Sequence, residues 1–177
     1  EKINGPIPAV AKAIADRDAD FIKNRAKIQA DANASYIDCC ASVPENMEAE
    51  TLKWLIDCIQ EVTDLPISID SPSPDVLAQV YTHCKQPGIF NSVSGEGEKI
   101  DKIFPILAEE NKDWQVIALL SDNTGIPKTA EDRLRVFRHI MEKAEEYHIS
   151  PSRIHIDPLV EMLCTSEDGI AMNVEVI

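Results

Sequence analysis

Several features that readily reveal function are scarce or missing in this chain. Glycine occurs six times in 177 residues, and no strand-like run is followed by the G-x-G-x-x-G or P-loop spacing that cradles phosphates. Basic residues number 17 against 31 acidic ones, for a net charge of -14, and no lysine or arginine cluster interrupts that field. Such a surface excludes nucleic acid and anionic membranes as partners. No apolar run approaches the roughly 20 residues needed to span a bilayer, and no signal-peptide core opens the chain, so a cytoplasmic location is expected. The five cysteines (Cys39, Cys40, Cys58, Cys84 and Cys164) are odd in number, lack zinc-like spacing, and read as buried free thiols in strands and helices, Cys164 excepted. Cys39-Cys40 lies near the end of its strand that would face a pocket. His83, His139 and His148 read as helix-surface or helix-end residues and His155 as a strand residue beside the core, so none is taken as a base.

What the chain does contain is a repeated pattern. Hydrophobic residues make up 44% and charged residues 27%, enough apolar matter for one sizeable core. Five apolar runs end in Asp or Asn: Tyr36-Ile37-Asp38, Pro66-Ile67-Ser68-Ile69-Asp70, Gly88-Ile89-Phe90-Asn91, Val116 to Asp122, and Arg153-Ile154-His155-Ile156-Asp157. β-branched residues alternating with small ones suit buried strands, and Pro72 and Pro158 stop two of the runs from continuing as helices. Trp114 to Leu120 is nearly all apolar, as expected of a strand covered on both faces.

Helical spacing fills the intervals. Residues 8 to 15 form a short helix, and Asp18 caps a longer one that turns Phe21, Ile22, Ala26 and Ile28 inward. Residues 47 to 62 place Leu52, Leu55, Ile56, Ile59 and Val62 on one face. Pro72, Ser73 and Pro74 lead into a helix carrying Val76, Leu77, Val80 and Tyr81. Asn91 to Gly97 reads as a polar loop before a helix with Ile100, Ile103, Phe104 and Leu107. Thr129 caps a helix reaching about His148, with Leu134, Phe137, Ile140, Met141, Ala144 and Tyr147 inward, and residues 167 to 177 begin another. Glu1 to Pro6 is loop-like where a first strand would stand.

Strands alternating with helical crossovers indicate an α/β fold with a parallel sheet. Length alone favours a doubly wound open sheet, but polar residues at every strand end favour a barrel, which gathers those ends around one mouth. Asp70, Asn91, Asp122 and Asp157 would converge there, with Asp38 close by. Oxygen-rich metal coordination lacks a compact ligand motif, so no metal is expected. A pair of carboxylates could share acid and base roles. The third use is recognition of a planar heterocycle with an amidine-like edge, such as a pterin: its two parallel N–H donors match a carboxylate, and Asn reads the remaining ring atoms. Against these stand local uses, with Asp70 and Asp157 as helix caps, Asn91 as a loop anchor, and Asp122 and Asn123 as turn residues.

The order of Glu1-Lys2-Ile3-Asn4-Gly5, the Asp38 strand end, Asp64-Leu65-Pro66 through Asp70-Ser71, Asn91-Ser92, Thr124-Gly125-Ile126-Pro127-Lys128 and Ile156-Asp157-Pro158-Leu159 resembles the pterin-binding methyltetrahydrofolate:corrinoid protein methyltransferases, in the dihydropteroate synthase-like superfamily. The resemblance covers essentially the whole chain. It implies a (β/α)8 TIM barrel, with residues 1–177 a single pterin-binding domain incomplete at both ends, lacking the first strand and the last two units. It implies pterin contacts at Asp70, Asn91 and Asp157, with Asn4, Asp38, Asp122 and Asn123 as further pocket residues, and an N5-contacting asparagine beyond Ile177. The implied reaction moves a methyl group between N5 of tetrahydrofolate and the cobalt of a corrinoid (cobalamin) carried by a partner protein. Tetrahydrofolate or methyltetrahydrofolate is then the substrate, and a homodimer is expected. Departure of a tertiary amine needs positive character at N5, supplied by protonation or hydrogen bonding. Dihydropteroate synthase is the alternative within the fold, and a non-catalytic pterin-binding or corrinoid-protein-docking module the alternative outside enzymes. Cys39-Cys40 departs from the Asn-Val-Gly-like turn that the resemblance implies after Asp38.

Overall fold

In a computed structural model of the chain, which describes residues 2–109, 113–160 and 169–177, strands and helices alternate from the start. Glu1, Cys164 and the first two residues of the expected C-terminal helix lie outside the described residues. The described residues form two compact units, one running to Asn91 and including Trp114, the other made of the rest from Ser92 onward.

The first unit is built on four parallel strands. β1 (Ile3–Asn4) pairs with β2 (Ile37–Cys40), β2 with β3 (Ile67–Asp70), and β3 with the first half of β4 (Ile89–Gly95). The loop reading of Glu1 to Pro6 is corrected here at Ile3–Asn4. Ile3 is fully buried and Gly5 N–H bonds to Cys40 carbonyl at 3.0 Å, so two residues suffice for a strand where the neighbouring ladder accepts them. β4 also runs past Asn91 to Gly95, because Val93 and Ser94 are buried and the Ser94 hydroxyl is satisfied by the Glu96 amide at 3.3 Å. Gly88 stands where no other residue fits: a Cβ there would lie 2.1 Å from the Ile67 carbonyl oxygen, so β4 enters the sheet in contact with the β3 backbone.

One face of these strands carries Ile3, Ile37, Cys39, Ile67, Ile69 and Phe90, all at most 2% exposed. The helices α1 (Pro8–Asp16), α2 (Ala19–Asp31), α3 (Glu45–Gln60) and α4 (Pro74–Val80) complete the unit. Asp18 caps α2 through Phe21 N–H at 3.0 Å and Ser73 caps α4 through Val76 N–H. α3 packs on β2 and buries Leu52, Leu55, Ile56 and Ile59 completely, each contributing about 1.5–3 kcal/mol of apolar burial. Ile28 and Val62 are exposed instead: Ile28 lies on the far side of α2 from Ile22, and Val62 follows the end of α3. Cys84 falls just after a one-turn helix, half-buried. Phe90, Trp114 and Tyr81 close the sheet with an aromatic cluster whose centroids lie 4.8–5.8 Å apart.

The second unit contains α5 (Lys99–Glu109), β5 (Gln115–Asp122), α6 (Ala130–Glu146), β6 (Ile154–Asp157) and α7 (Gly169–Val176). β5 and β6 are parallel. β5 is not covered on both faces: Val116, Ala118 and Leu120 are buried, whereas Ile117 and Leu119 are half-exposed. His155 is exposed on β6. The inward stripe of α6 is turned by one position from the expected one, with Ala130, Arg133, Val136, Ile140 and Ala144 buried and Leu134, Phe137, Met141 and Tyr147 half-buried. Arg133 explains the turn. It is fully buried and donates to the carbonyls of Pro127 (3.2 Å), Pro158 and Leu159 (3.1 Å) and to Asn173 Oδ1 (2.7 Å).

Within each unit all strand pairings are parallel and helices separate the strands, the repeating pattern of a (β/α)8 barrel. No described helix is long and apolar enough to cross a membrane. Arg133→Ala should lower unfolding free energy by about 3 kcal/mol or more, since three carbonyls and an amide lose a buried cationic donor. Urea titration followed by circular dichroism measures the loss.

Candidate functional site

Strand registry assembles the site. Asn4 stands opposite Cys40, Cys40 opposite Asp70, and Asp70 opposite Asn91, so four adjacent strands deliver one row of side chains at one level. Side chains alternate across a strand, so this row and the residues two positions earlier, Asp38 and Ser68, share the face opposite the apolar one. Cys39 and Cys40, though adjacent, therefore serve different faces. Cys39 is fully buried in the apolar layer, while Cys40 belongs to the polar row with its Sγ 3.5 Å from Ser42 Oγ. The four described cysteines are free thiols.

Within the row Asp38 acts as an organiser. Its Oδ1 accepts from Ser68 Oγ at 2.8 Å and from Asn91 Nδ2 at 3.3 Å, which fixes the Asn91 amide and leaves its carbonyl oxygen for another partner. Asn91 thus orients toward the row and not toward its own loop. Asp70 is half-buried, and α4 takes its cap from Ser73, so Asp70 is not the helix cap. Burial raises the Asp70 carboxyl above the usual aspartate range, and neighbouring Asp38 adds to the rise, against a hydrogen bond from the Cys40 thiol and the charge of Lys2. Burial and Asp70 in turn keep the Cys40 thiol protonated. Asn4 Oδ1 is buried with no partner among the described residues, an acceptor open to a ligand donor.

The remaining candidates belong to the second unit. Asp122 accepts from Thr124 N–H (2.9 Å) and Thr124 Oγ1 (2.6 Å) and from Arg135 at 3.0 Å, bonds that hold its carboxyl below the usual range. It closes the turn to Gly125, whose φ of 97° suits glycine. Asn123 Oδ1 accepts from Gly97 N–H at 2.9 Å. Asp157 is half-buried at the end of β6, where its Oδ1 receives Leu159 N–H at 2.8 Å, and Leu159 adopts a left-handed φ of 61°. Sequence reading missed Ser68, Glu48 and Ser71. Ser71 Oγ donates to the buried Glu48 carboxylate at 2.8 Å. The alternation Ile-Ser-Ile-Asp in β3 already placed Ser68 on the face of Asp70.

This face suits a flat polar ligand. A carboxylate with spare lone pairs, an oriented amide and an open acceptor lie side by side on rigid strands. Among the described residues no group of three or more His, Cys, Asp or Glu side chains could hold a metal ion.

Comparison with known proteins agrees with that chemistry. The profile of a family described as "Pterin binding enzyme" matches residues 9–174. A "Methylcorrinoid:tetrahydrofolate methyltransferase" of Eubacterium limosum is 46% identical over 165 residues, 93% of this chain and 61% of that protein. A "Methionine synthase" of Mycobacterium leprae (strain TN) is 28% identical over 149 residues, 81% of this chain and 12% of that protein. The chain thus spans about three-fifths of the first relative's length.

The raised Asp70 carboxyl has a definite consequence for stability. The folded state binds this proton more tightly than the unfolded chain, so ionised Asp70 opposes folding above its raised value. The penalty fades as pH falls toward about 3.9, the ordinary aspartate value. Asp70→Asn should therefore stabilise the fold at pH 7, with the gain shrinking on acidification; urea midpoints of both forms across that range measure it.

Proposed function

The chain belongs to the pterin binding enzyme family, and we propose that it forms the pterin-holding part of an enzyme that transfers a methyl group between a corrinoid carried by a partner protein and N5 of tetrahydrofolate. The observation that carries this reading is the row Asn4, Cys40, Asp70 and Asn91, set at one level by the pairing of four strands. The name of the 46% identical relative, a methylcorrinoid:tetrahydrofolate methyltransferase, supports the substrate pair and a direction from methylcorrinoid to tetrahydrofolate.

Asp70 is the residue for the amidine-like edge of the pterin, where its carboxylate accepts two parallel N–H bonds. Asn91, fixed by Asp38, offers its carbonyl oxygen to a ring donor; Asp157 enters only as a further pterin contact that the family resemblance implies, and is tested separately. Asn4 completes the row with its open acceptor. Asp122 and Asn123 shape the neighbouring loops. The corrinoid cobalt carries the methyl group. As N5 takes the methyl, a new N–C bond forms, the Co–C electron pair remains on cobalt, and the N5 proton leaves. The contribution of these side chains is to hold the ring in line and exclude water, and orientation of this kind is worth about 7 kcal/mol or more in favourable cases. None of them need bond covalently to the substrate.

The test mixes the protein with methylcobalamin, tetrahydrofolate and its corrinoid protein, and follows the loss of the Co–C absorbance band. Asp70→Ala and Asp157→Ala should each weaken tetrahydrofolate binding by about tenfold or more in calorimetry, the worth of a charge-assisted hydrogen bond. Binding should also weaken on acidification through the raised value of Asp70, because the ring edge requires its ionised form. Unchanged affinity in Asp157→Ala would remove that residue from the pocket. Condensation of p-aminobenzoate with a pterin pyrophosphate would assign a synthase instead, and binding with no methyl transfer a carrier module.

A further inference from the structure

The first turn of α3 carries a buried carboxylate that the site described above does not use. Glu48 is 6% exposed, on a helix whose other buried positions are Thr51, Leu52, Leu55, Ile56, Cys58 and Ile59. A carboxylate in an apolar layer is costly unless its charge and lone pairs are met. Its place near the N-terminus of α3 meets part of the charge, and Ser71 Oγ, at 2.8 Å, meets a lone pair.

Ser71 is itself 2% exposed and is the residue directly after Asp70. Its hydroxyl donates to Glu48 and accepts from the Ser73 amide at 3.1 Å, so both roles of one oxygen are engaged and its rotation is fixed. Its own amide donates to the Asn91 carbonyl at 2.9 Å, the last bond joining β3 to β4 at the level of the row. Ser73 then caps α4. Through its hydroxyl and its amide, Ser71 thus connects the start of α3, the end of β3, β4 at Asn91, and the start of α4.

We propose that Glu48 is a positioning residue for the pterin-facing pair: through Ser71 it fixes the end of β3 and the adjoining part of β4, which present Asp70 and Asn91. The inference rests on the pterin reading given above. The hydrogen bond of Glu48 reaches the row through Ser71, and its charge adds to the rise at the Asp70 carboxyl. An acceptor oxygen is what the position requires, so Gln serves it and Ala does not.

The experiment measures tetrahydrofolate affinity by calorimetry for Glu48→Ala, Glu48→Gln, Ser71→Ala and the Glu48→Ala/Ser71→Ala pair, at a temperature where thermal melts show each folded. Expected are losses of about tenfold for each alanine variant, affinity within about twofold of wild type for Glu48→Gln, and a double variant no weaker than the worse single. The loss should appear in KM, with kcat at saturating folate changed less. Glu48→Ala binding like wild type, Glu48→Gln as weak as Glu48→Ala, or additive single effects would each overturn the proposal. Hydrogen exchange at the Ser71 amide separates it from the functional reading. If wild type does not bind tetrahydrofolate, the pterin reading fails by itself, and exchange still decides: faster in Glu48→Ala and restored in Glu48→Gln supports the clamp, and unchanged exchange refutes it.

Discussion

Parallel strands paired in step oblige residues of equal register to project from one face at one height. That constraint makes a site of Asn4, Cys40, Asp70 and Asn91, which are 21 to 36 positions apart from one strand to the next and share no local motif. The same constraint sends Ile3, Cys39, Ile69 and Phe90 to the opposite side, where helices bury them. A one-residue slip at any strand would exchange the two sets, placing carboxylates in the apolar layer. Gly88 guards this registry by letting β4 touch the β3 backbone at Ile67.

The polar row works against the stability of the sheet that carries it. Asp70 is half-buried beside Asp38 with its proton affinity raised, and Asn4 keeps a buried oxygen without a described partner. Groups left in this condition are characteristic of surfaces that meet a ligand, because a ligand's donors can relieve what the free protein leaves unsatisfied. The surroundings are arranged to tolerate the strain: Ser68 and Asn91 saturate one oxygen of Asp38, and Ser71 ties the end of β3 to β4 at Asn91. In the second unit the buried Arg133 does similar service, holding the Pro158 and Leu159 carbonyls just after Asp157.

Much of this was legible from residue order. Period-two alternation identified β2, β3 and β6, and spacings of three and four identified α3, α5 and α6, because a core face leaves its period in the chain. Asp18 and Thr129 were recognisable where helices begin, as their carboxylate or hydroxyl oxygens must meet free amides, whereas Ser73 emerged as the cap of α4 only in the structure. Hydropathy failed wherever a polar side chain was buried with its partners. Arg133 and Glu48 look like solvent-facing residues on amphipathic helices, and only the carbonyls and hydroxyl that receive them, distant in sequence, reveal otherwise. It failed likewise at Ile3–Asn4 and at Asn91 to Gly95, where pairing with an existing strand extends structure through residues of weak strand preference. The row itself was readable as strand-end Asp and Asn, but Cys40's membership and Asp38's hold on Asn91 needed the register.

The aromatic cluster leaves the molecule with an optical reporter. Of two tryptophans, Trp54 is half-exposed beneath the Arg17 guanidinium, whereas Trp114 is 2% exposed and stacked on Phe90, the residue immediately before Asn91. The two indoles should therefore emit at separable wavelengths, the sheltered one bluer, so that Trp114 reports on the packing against Phe90 in β4.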